Sequence, residues 1–384
     1  MKGFLTTHKG MEDIAALEVN ELTGKKAKIS DACIVFDIIR YEGLFKLCYL
    51  SQSAKGVYFL LSEFAYKEIF EDFKKNIQKI DFGEWLSESI TFRVKCIKDS
   101  DENIPTPEIE KELGAIIIEH MQKKHNYTQK VSLNKPDITL FVYLSGNKCH
   151  IGIDFAGFDM SKRNYNIFTH PGSIKGTIAY SLIRLSEYSN NKTLLDCFSA
   201  SGTIPIEAAF FASKFPVNFY NKEKFIFLKF EKFKSFDFRK FFKKIDDNIS
   251  DEKLNIYNVD SSMKYINYAK KNSKIAGIAK KINFSRMNLE WLDTKFDKGK
   301  IGRIVAKMPV SAEDIEKLYN EFFYQAEFIL DDGGKIVVIG KKDLTGKYSS
   351  KYNFKIEEER SIFSGKEQYD VFVLSKNIAK DTSF

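Results

Sequence analysis

The sequence predicts an α+β N-terminal region followed by an α/β domain built on a mostly parallel, doubly wound sheet. Three observations carry this expectation. From residue 174 onward, short apolar strands alternate with helical patterns, the order that builds a parallel sheet with helices on its faces. Before residue 156 the order is mixed, and Ser145-Gly146-Asn147 sits between two strand-like runs as a hairpin signal. The chain has 384 residues, more than one hydrophobic core normally serves, so two or three domains are expected.

Element by element, "GFLTTH" reads as a strand, and "GMEDIAALEVNELTG" as a helix with Ile14, Leu17 and Leu22 at helical spacing and Gly24 as its stop. "ACIVFDI" is strand-like, "YEGLFKLCYLSQSA" helical, and "GVYFLLSEF" a strand. The mixture repeats over 66–155. "YKEIFEDFKKNIQKI" is an amphipathic helix, "ITFRVKCIK" alternates as a strand does, and Pro107 opens the helix that runs to "HMQKK". "DITLFVYLSGNKCHIGIDFAG" is the hairpin, and "MSKRNYNIFTHPGS" is irregular and polar, as a linker is. The helix "IKGTIAYSLIRLS" then leads into the alternating half, and "YNFKIEEERSIF" with "YDVFVLSK" closes it as an antiparallel edge hairpin. "NKEKFIFLKFEKFKSFDFRKFFKKI" interleaves Lys with Phe and reads as an amphipathic helix with a solvated basic face.

The five cysteines, Cys33, Cys48, Cys96, Cys149 and Cys197, form no C-x-x-C pair and have no His at ligand spacing. That pattern disfavours a zinc site and predicts reduced thiols in a cytoplasm. No apolar run is long enough to span a bilayer, so no membrane partner is expected, and "MKGFLTTHKGMED" has no apolar core of signal-peptide length. A net charge of +8 permits a nucleic-acid partner without establishing one. The histidines, His8, His120, His125, His150 and His170, form no recognisable set, and nothing in the sequence reports on oligomeric state.

The chemistry concentrates in "LLDCFSASGTIPIEAAFFAS", residues 194–213, where a strand breaks into a helix through small residues. In a doubly wound sheet the ligand lies beyond the carboxyl ends of the strands, where Asp196 and the turn Ser199, Ser201, Gly202 and Thr203 would stand. Small residues let backbone approach a ligand, and helix N-terminal N–H groups point at it. The next strand ends at Asp260, whose carboxylate can accept both hydroxyls of a ribose, and Asn288 after the third strand can bond an adenine edge. A turn with an acidic second-strand end suits an adenosine-containing cofactor. With no G-x-G-x-x-G and no G-x-x-x-x-G-K-[ST], S-adenosylmethionine is favoured over NAD or ATP. Asp260 also reads as the N-cap of the helix "SMKYINYAKK", and the two roles can coexist.

These motifs resemble the THUMP-domain RNA methyltransferases of the archaeal and bacterial tRNA/rRNA guanine-N2 group, and the resemblance covers nearly the whole chain. "SLNKPDITLFVYLSGNKCHIGIDFAGFDMSKRNYN" resembles the end of a THUMP domain and its linker, and "HPGSIKGTIAYSLIRLS" the helix before the catalytic domain. "DCFSASGTIPIEAA" resembles the family's cofactor loop D-P-x-C-G-S-G-T-x-x-I-E-A-A, "FLKFEKFKSFD" the insertion after it, and "NVDSSMKYINYAKKNSKIAG" the ribose-binding strand and helix. The resemblance implies a ferredoxin-like segment over 1–62, a THUMP domain over 63–156, a linker and helix over 157–190, and a Rossmann-like methyltransferase domain over 191–377. It also implies S-adenosylmethionine as cofactor, RNA as partner (the tRNA acceptor end, held by the THUMP region), and methylation of a flipped guanine amine. Arg93, Lys95 and Lys98 on the THUMP-like strand, with Lys162 and Arg163 in the linker, are candidate phosphate contacts or ordinary solvated charges.

The chain departs from the family at its catalytic loop. Where the family has D-x-I-V-x-N-P-P-Y, this sequence reads "GRIVAKMPV", placing Lys307, Pro309 and Val310 at the reacting positions. An Asn there accepts from the base amine, whereas Lys307 has three donors and no acceptor, and its charge would repel a sulfonium. Val310 cannot stack on a base. Ala200 replaces a Gly, Cys197 a Pro, and Asn288 an Asp. Lys307 can be a drifted residue, a novel catalytic lysine or a phosphate contact. The competing expectation is a catalytically inactive paralogue that binds tRNA.

Overall fold

The structure is a computed structural model that describes residues 1–99, 103–309, 311 and 313–377. The chain divides into two compact units. The first comprises Met1–Thr7, Ala15–Met160 and Asn218–Lys244, and the second His8–Ile14, Ser161–Val217 and the residues from 245 onward.

In chain order, the first half contains β1 (Lys2–Thr6), α1 (Glu12–Thr23), β2 (Ala27–Ser30), β3 (Cys33–Asp37), α2 (Glu42–Leu50) and β4 (Gly56–Ala65). It continues with α3 (Ile69–Ile77), β5 (Thr91–Asp99), α4 (Thr106–His125), β6 (Lys130–Val131), β7 (Ile138–Ser145) and β8 (Lys148–Asp154). All eight strands form one sheet, in the order β2-β3-β1-β4-β8-β7-β5-β6. The expected boundary at residue 62 falls inside β4. That ten-residue strand pairs antiparallel with β1 on one edge and with β8 on the other, so the sheet is continuous from residue 2 to residue 154. The expected hairpin joins β7 to β8 through Gly146, at φ +54°. Tyr58 and Phe141 stack 3.9 Å apart in the core of this unit.

The second unit opens with α5 (Gly176–Leu185), β9 (Leu194–Asp196) and α6 (Thr203–Ser213). The Lys/Phe tract then returns to the first unit, and it is not one amphipathic helix. It forms three short 3₁₀ turns over 219–233 and then α7 (Phe238–Asp246). The spacing explains this. Phe227, Phe230, Phe233 and Phe236 recur every three residues, the repeat of a 3₁₀ helix rather than of an α-helix. Phe227, Phe233, Phe236 and Phe238 lie 4.6–5.3 Å, ring to ring, from Phe45 of α2.

The second unit resumes with β10 (Ile256–Asp260), α8 (Met263–Ile275), β11 (Ile282–Arg286), α9 (Leu292–Lys295) and β12 (Ile301–Lys307). It ends with α10 (Ile315–Ile329), β13 (Leu330–Ile339), α11 (Lys342–Lys351), β14 (Phe354–Ser364) and β15 (Glu367–Lys376). Its sheet runs β11-β10-β9-β12-β13-β15-β14. The first five strands are parallel, and the last two form the expected antiparallel edge. β9 is central, pairing with both β10 and β12, so the strand order reverses beside it. That reversal opens a crevice at the carboxyl edge, where ligands of such sheets bind. Two apolar layers flank the sheet. One is centred on Ile178, Leu182 and Ile206, the other on Ile304, Phe322 and Val338. Among the described residues no helix is long and apolar enough to cross a membrane.

Candidate functional site

The carboxyl edge of β9, β10, β11 and β12 opens into a cavity of about 840 Å³. This is within the roughly 300–1,000 Å³ range of small-molecule sites. Of the residues expected from sequence, Asp260, Asn288, Lys307 and Pro309 line it together. Asp196, Ser199, Ser201, Gly202 and Thr203 do not. They are buried beneath the cavity, and Cys197, Phe198 and Ala200 of the same turn face it instead. Val310 lies outside the described residues.

The turn is held by the backbone and by Asp260. Ser199 N–H donates to Val259 O at 3.2 Å, and Gly202 N–H to Ser199 O at 2.7 Å. The Asp260 carboxylate accepts from Ala200 N–H at 3.0 Å through one oxygen and from Ser262 N–H at 2.8 Å through the other. Asp260 is therefore not the cap of α8; Ser262 occupies that position. Ala200 adopts φ +47°, a left-handed conformation that costs a Cβ-bearing residue roughly 1–2 kcal/mol. A charge-assisted hydrogen bond of about 1.5–3 kcal/mol, from its own N–H to Asp260, offsets that strain. Gly202 has φ +83°, and a Cβ there would stand 2.7 Å from Ala269 Cβ of α8. This glycine serves helix–helix approach. Ser201 Oγ shares a 2.5 Å hydrogen bond with Ser173 Oγ, and Asn272 holds both Ser201 O and the backbone of Phe168. The Ser199 and Thr203 hydroxyls are buried without a hydrogen-bond partner among the described residues.

Burial raises the pKa of Asp260, opposed by its two backbone donors and by His170. Burial also holds Asp196 well above the usual carboxylate range, opposed by its bond from Phe198 N–H and reinforced by Asp260. His170 was not part of any set legible in the sequence, yet it lines the cavity. Its Nδ1 accepts from Gly172 N–H at 2.8 Å, and its ring meets Tyr265 edge-on at 4.3 Å. Burial lowers its pKa; Asp260 opposes this and Lys307 adds to it. Lys307 lines the cavity together with Glu367 of the edge hairpin. Burial lowers its pKa, Glu367 opposes that, and its Nζ lies 5.2 Å from the centre of the Tyr369 ring. Tyr369 OH donates to Glu367. Met287 and Leu289 add apolar wall beside Asn288.

The fit to an adenosine-containing cofactor rests on this donor set. Each Asp260 oxygen keeps a lone pair after its backbone bond, enough to accept from both ribose hydroxyls. Exposed Asn288 offers an amide beside the Met287 and Leu289 walls.

The expected RNA contacts are distributed differently. Arg93 and Lys95 share one face of β5, while Lys98 is on the other, with its Nζ donating to Ile104 O at 3.0 Å. Arg93 donates to Leu133 O at 3.0 Å. Lys162 is exposed. Arg163 corrects the expectation. Its side chain is 4% exposed and forms a bidentate pair with Glu207 of α6, which is 0% exposed, at 2.7 and 3.0 Å. Tyr165 OH donates to the same carboxylate at 2.7 Å. A Cβ at Gly176 would meet Glu207 Oε1 at 2.4 Å, so the glycine makes room for the pair. The sequence carries half of this signal: a lone Glu inside the apolar run "IPIEAAFF" must be paired, hydrogen-bonded or protonated once buried, but nothing near it in the chain names Arg163 as the partner.

Comparison with known proteins agrees with this architecture. Residues 163–369 match the family described as RMKL-like, methyltransferase domain, and residues 67–154 match the THUMP domain. A tRNA (guanine(6)-N2)-methyltransferase of Methanocaldococcus jannaschii is 30% identical over 98% of this chain and 100% of its own. Two solved structures share the fold over nearly their full lengths. One, described as a possible methylase from Clostridium difficile 630, has a TM-score of 0.83 at 22% identity over 98% of each chain. The other, SMU.472 complexed with SAH, has a TM-score of 0.80 at 20% identity over 99% of each. The chain belongs to the RMKL-like methyltransferase domain family and carries a THUMP domain ahead of that domain.

Proposed function

From that membership, we propose that the protein methylates tRNA, transferring the methyl group of S-adenosylmethionine to N2 of a guanine flipped into the cavity. The reading is supported most by the single cavity that unites Asp260, Asn288, Lys307 and Pro309 at the strand-order reversal. The name of the Methanocaldococcus jannaschii relative supplies the reaction and the substrate class. Asp260 accepts from the ribose hydroxyls, Asn288 and the apolar walls of Met287 and Leu289 take the adenine, and the turn with Ala200 orients Asp260. Bound there, the cofactor supplies an electrophilic methyl group. The segment Lys307 to Pro309 faces the incoming base, and the THUMP region holds the tRNA acceptor end. Five free, buried cysteines suit a reducing cytoplasm.

Lys307 favours a second reading, tRNA binding without catalysis. Its ammonium stands where an acceptor for the base amine is needed. Calorimetry of the full chain with S-adenosylmethionine tests the cofactor assignment. We expect micromolar binding, weakened roughly 10- to 100-fold by Asp260→Ala through loss of hydrogen bonds to a charged group. No binding at millimolar cofactor would exclude the enzyme reading. Binding without methyl transfer to unmodified tRNA would establish the second.

A further inference from the structure

The Lys/Phe tract carries a charge imbalance that the cavity chemistry does not use. Residues 218–244 hold nine Lys and Arg against three acidic side chains, a net +6 in a chain whose total is +8. The tract turns its aromatic rings inward. Phe225, Phe227, Phe230 and Phe233 are buried, and Asn218 anchors its start by donating to Cys48 O at 2.8 Å. Its cations point the other way. Lys224, Lys229, Arg239 and Lys240 are exposed and have no carboxylate at ion-pair distance among the described residues. In α7, Phe238, Phe241 and Phe242 take one side, and Arg239, Lys240, Lys243 and Lys244 follow the other.

Phe241 opens into a second cavity of about 500 Å³ within the same unit. Ile38 is buried beneath it, and exposed Ile39 lines it with Lys25, Arg40 and Lys46 against the carboxylates of Asp37 and Glu42. An aromatic ring in a groove edged by cations is the arrangement that holds single-stranded nucleic acid. The ring takes a base face, and the cations take phosphates.

Resting on the reading that the protein acts on RNA, we infer that this tract and the Phe241 groove form an RNA-binding surface. A base of a single-stranded segment stacks on Phe241 beside Lys25 and Arg40 of the groove, and the backbone then continues round the tract onto its outer face, across Lys224, Lys229, Arg239 and Lys240. An anionic membrane fits less well, because the phenylalanines that would insert into lipid are already packed on Phe45, Phe155 and Trp85.

The test measures binding of the full-length protein to an unmodified tRNA transcript by fluorescence anisotropy across a salt series. K224Q/K229Q/R239Q/K240Q removes the four exposed cations. It should weaken binding at least about tenfold at physiological salt and flatten the salt slope by roughly 0.7 for each phosphate no longer neutralised. F241L keeps an apolar side chain against Phe45 but removes the stacking face, and should weaken binding about fivefold or more. Unchanged affinity and slope in the quadruple variant overturn the inference. So does binding of the wild type to phosphatidylserine vesicles that the quadruple variant loses while tRNA affinity holds. If the wild type binds tRNA through these residues yet transfers no methyl group, only the enzyme reading fails. If it methylates tRNA and the quadruple variant does so with equal efficiency, only this inference fails.

Discussion

Replacing Arg163 by alanine separates a structural cation from an RNA contact. The guanidinium is 4% exposed and the Glu207 carboxylate 0%, and two hydrogen bonds of 2.7 and 3.0 Å join them. Removing one member of such a pair leaves a buried charge whose counter-charge is gone, which costs about 3–5 kcal/mol. For a domain of this size, each kcal/mol moves the unfolding midpoint by about 2–4 °C, so Arg163→Ala should lower it by about 6–20 °C. Tyr165 OH still donates to Glu207, which argues for the lower half of that range. The assay is thermal unfolding of the full chain followed by circular dichroism, with tRNA affinity measured in parallel below the transition. The double variant R163L/E207L removes both charges and should recover most of the loss, because a buried pair contributes little over apolar residues of similar size. A midpoint within about 2 °C of wild type, together with weakened tRNA binding, would instead make Arg163 a phosphate contact.

The turn makes two opposed predictions. Gly202→Ala should destabilise by more than about 1 kcal/mol and weaken cofactor binding, because φ +83° and Ala269 at 2.7 Å both oppose a Cβ; Ala200→Gly should be neutral or stabilising by up to about 1 kcal/mol. Urea unfolding of both variants checks this, and equal losses would contradict it. Asp196 predicts a pH dependence. Its folded pKa is raised by burial, so the folded state holds the proton more tightly than the unfolded one, and stability falls as pH rises from the unfolded value of about 3.8 through the folded pKa. Asp196→Asn should therefore match wild type below about pH 4 and exceed it progressively above, as read from urea midpoints across pH. A gain present at low pH and lost at high pH would reverse the sign. Lys307→Asn supplies the acceptor that the resemblance implies at that position. It should raise methyl transfer at saturating cofactor roughly tenfold or more while leaving tRNA affinity within about twofold. An unchanged rate would acquit the lysine.

Local rules made much of the fold legible. The strand, turn and helix of 194–213, the hairpin at Gly146 and the antiparallel edge all follow from patterns local in sequence. Three features were hidden because their causes are distant in sequence. The Lys/Phe tract folds with Phe45, about 190 residues earlier, and its three-residue aromatic repeat selects 3₁₀ turns over the expected helix. Arg163, in an irregular segment that reads as a polar linker, finds its partner 44 residues on, beyond α5 and β9. His170 and Glu367 reach the cavity from that segment and from the edge hairpin, and no motif joins them to Asp260. Within the turn, periodicity placed the small residues at the carboxyl edge. It did not distinguish the residues of the turn that face the cavity (Cys197, Phe198 and Ala200) from those that support it (Asp196, Ser199 and Gly202).

The central claim is that this cavity transfers a methyl group to a guanine amine of tRNA. Incubating the full-length protein with deuteromethyl-labelled S-adenosylmethionine and an unmodified tRNA transcript, then digesting to nucleosides for mass spectrometry, tests it directly. Labelled N2-methylguanosine should form with the wild type and disappear with Asp260→Ala. Cofactor and tRNA both bound, with no labelled nucleoside formed, would contradict it.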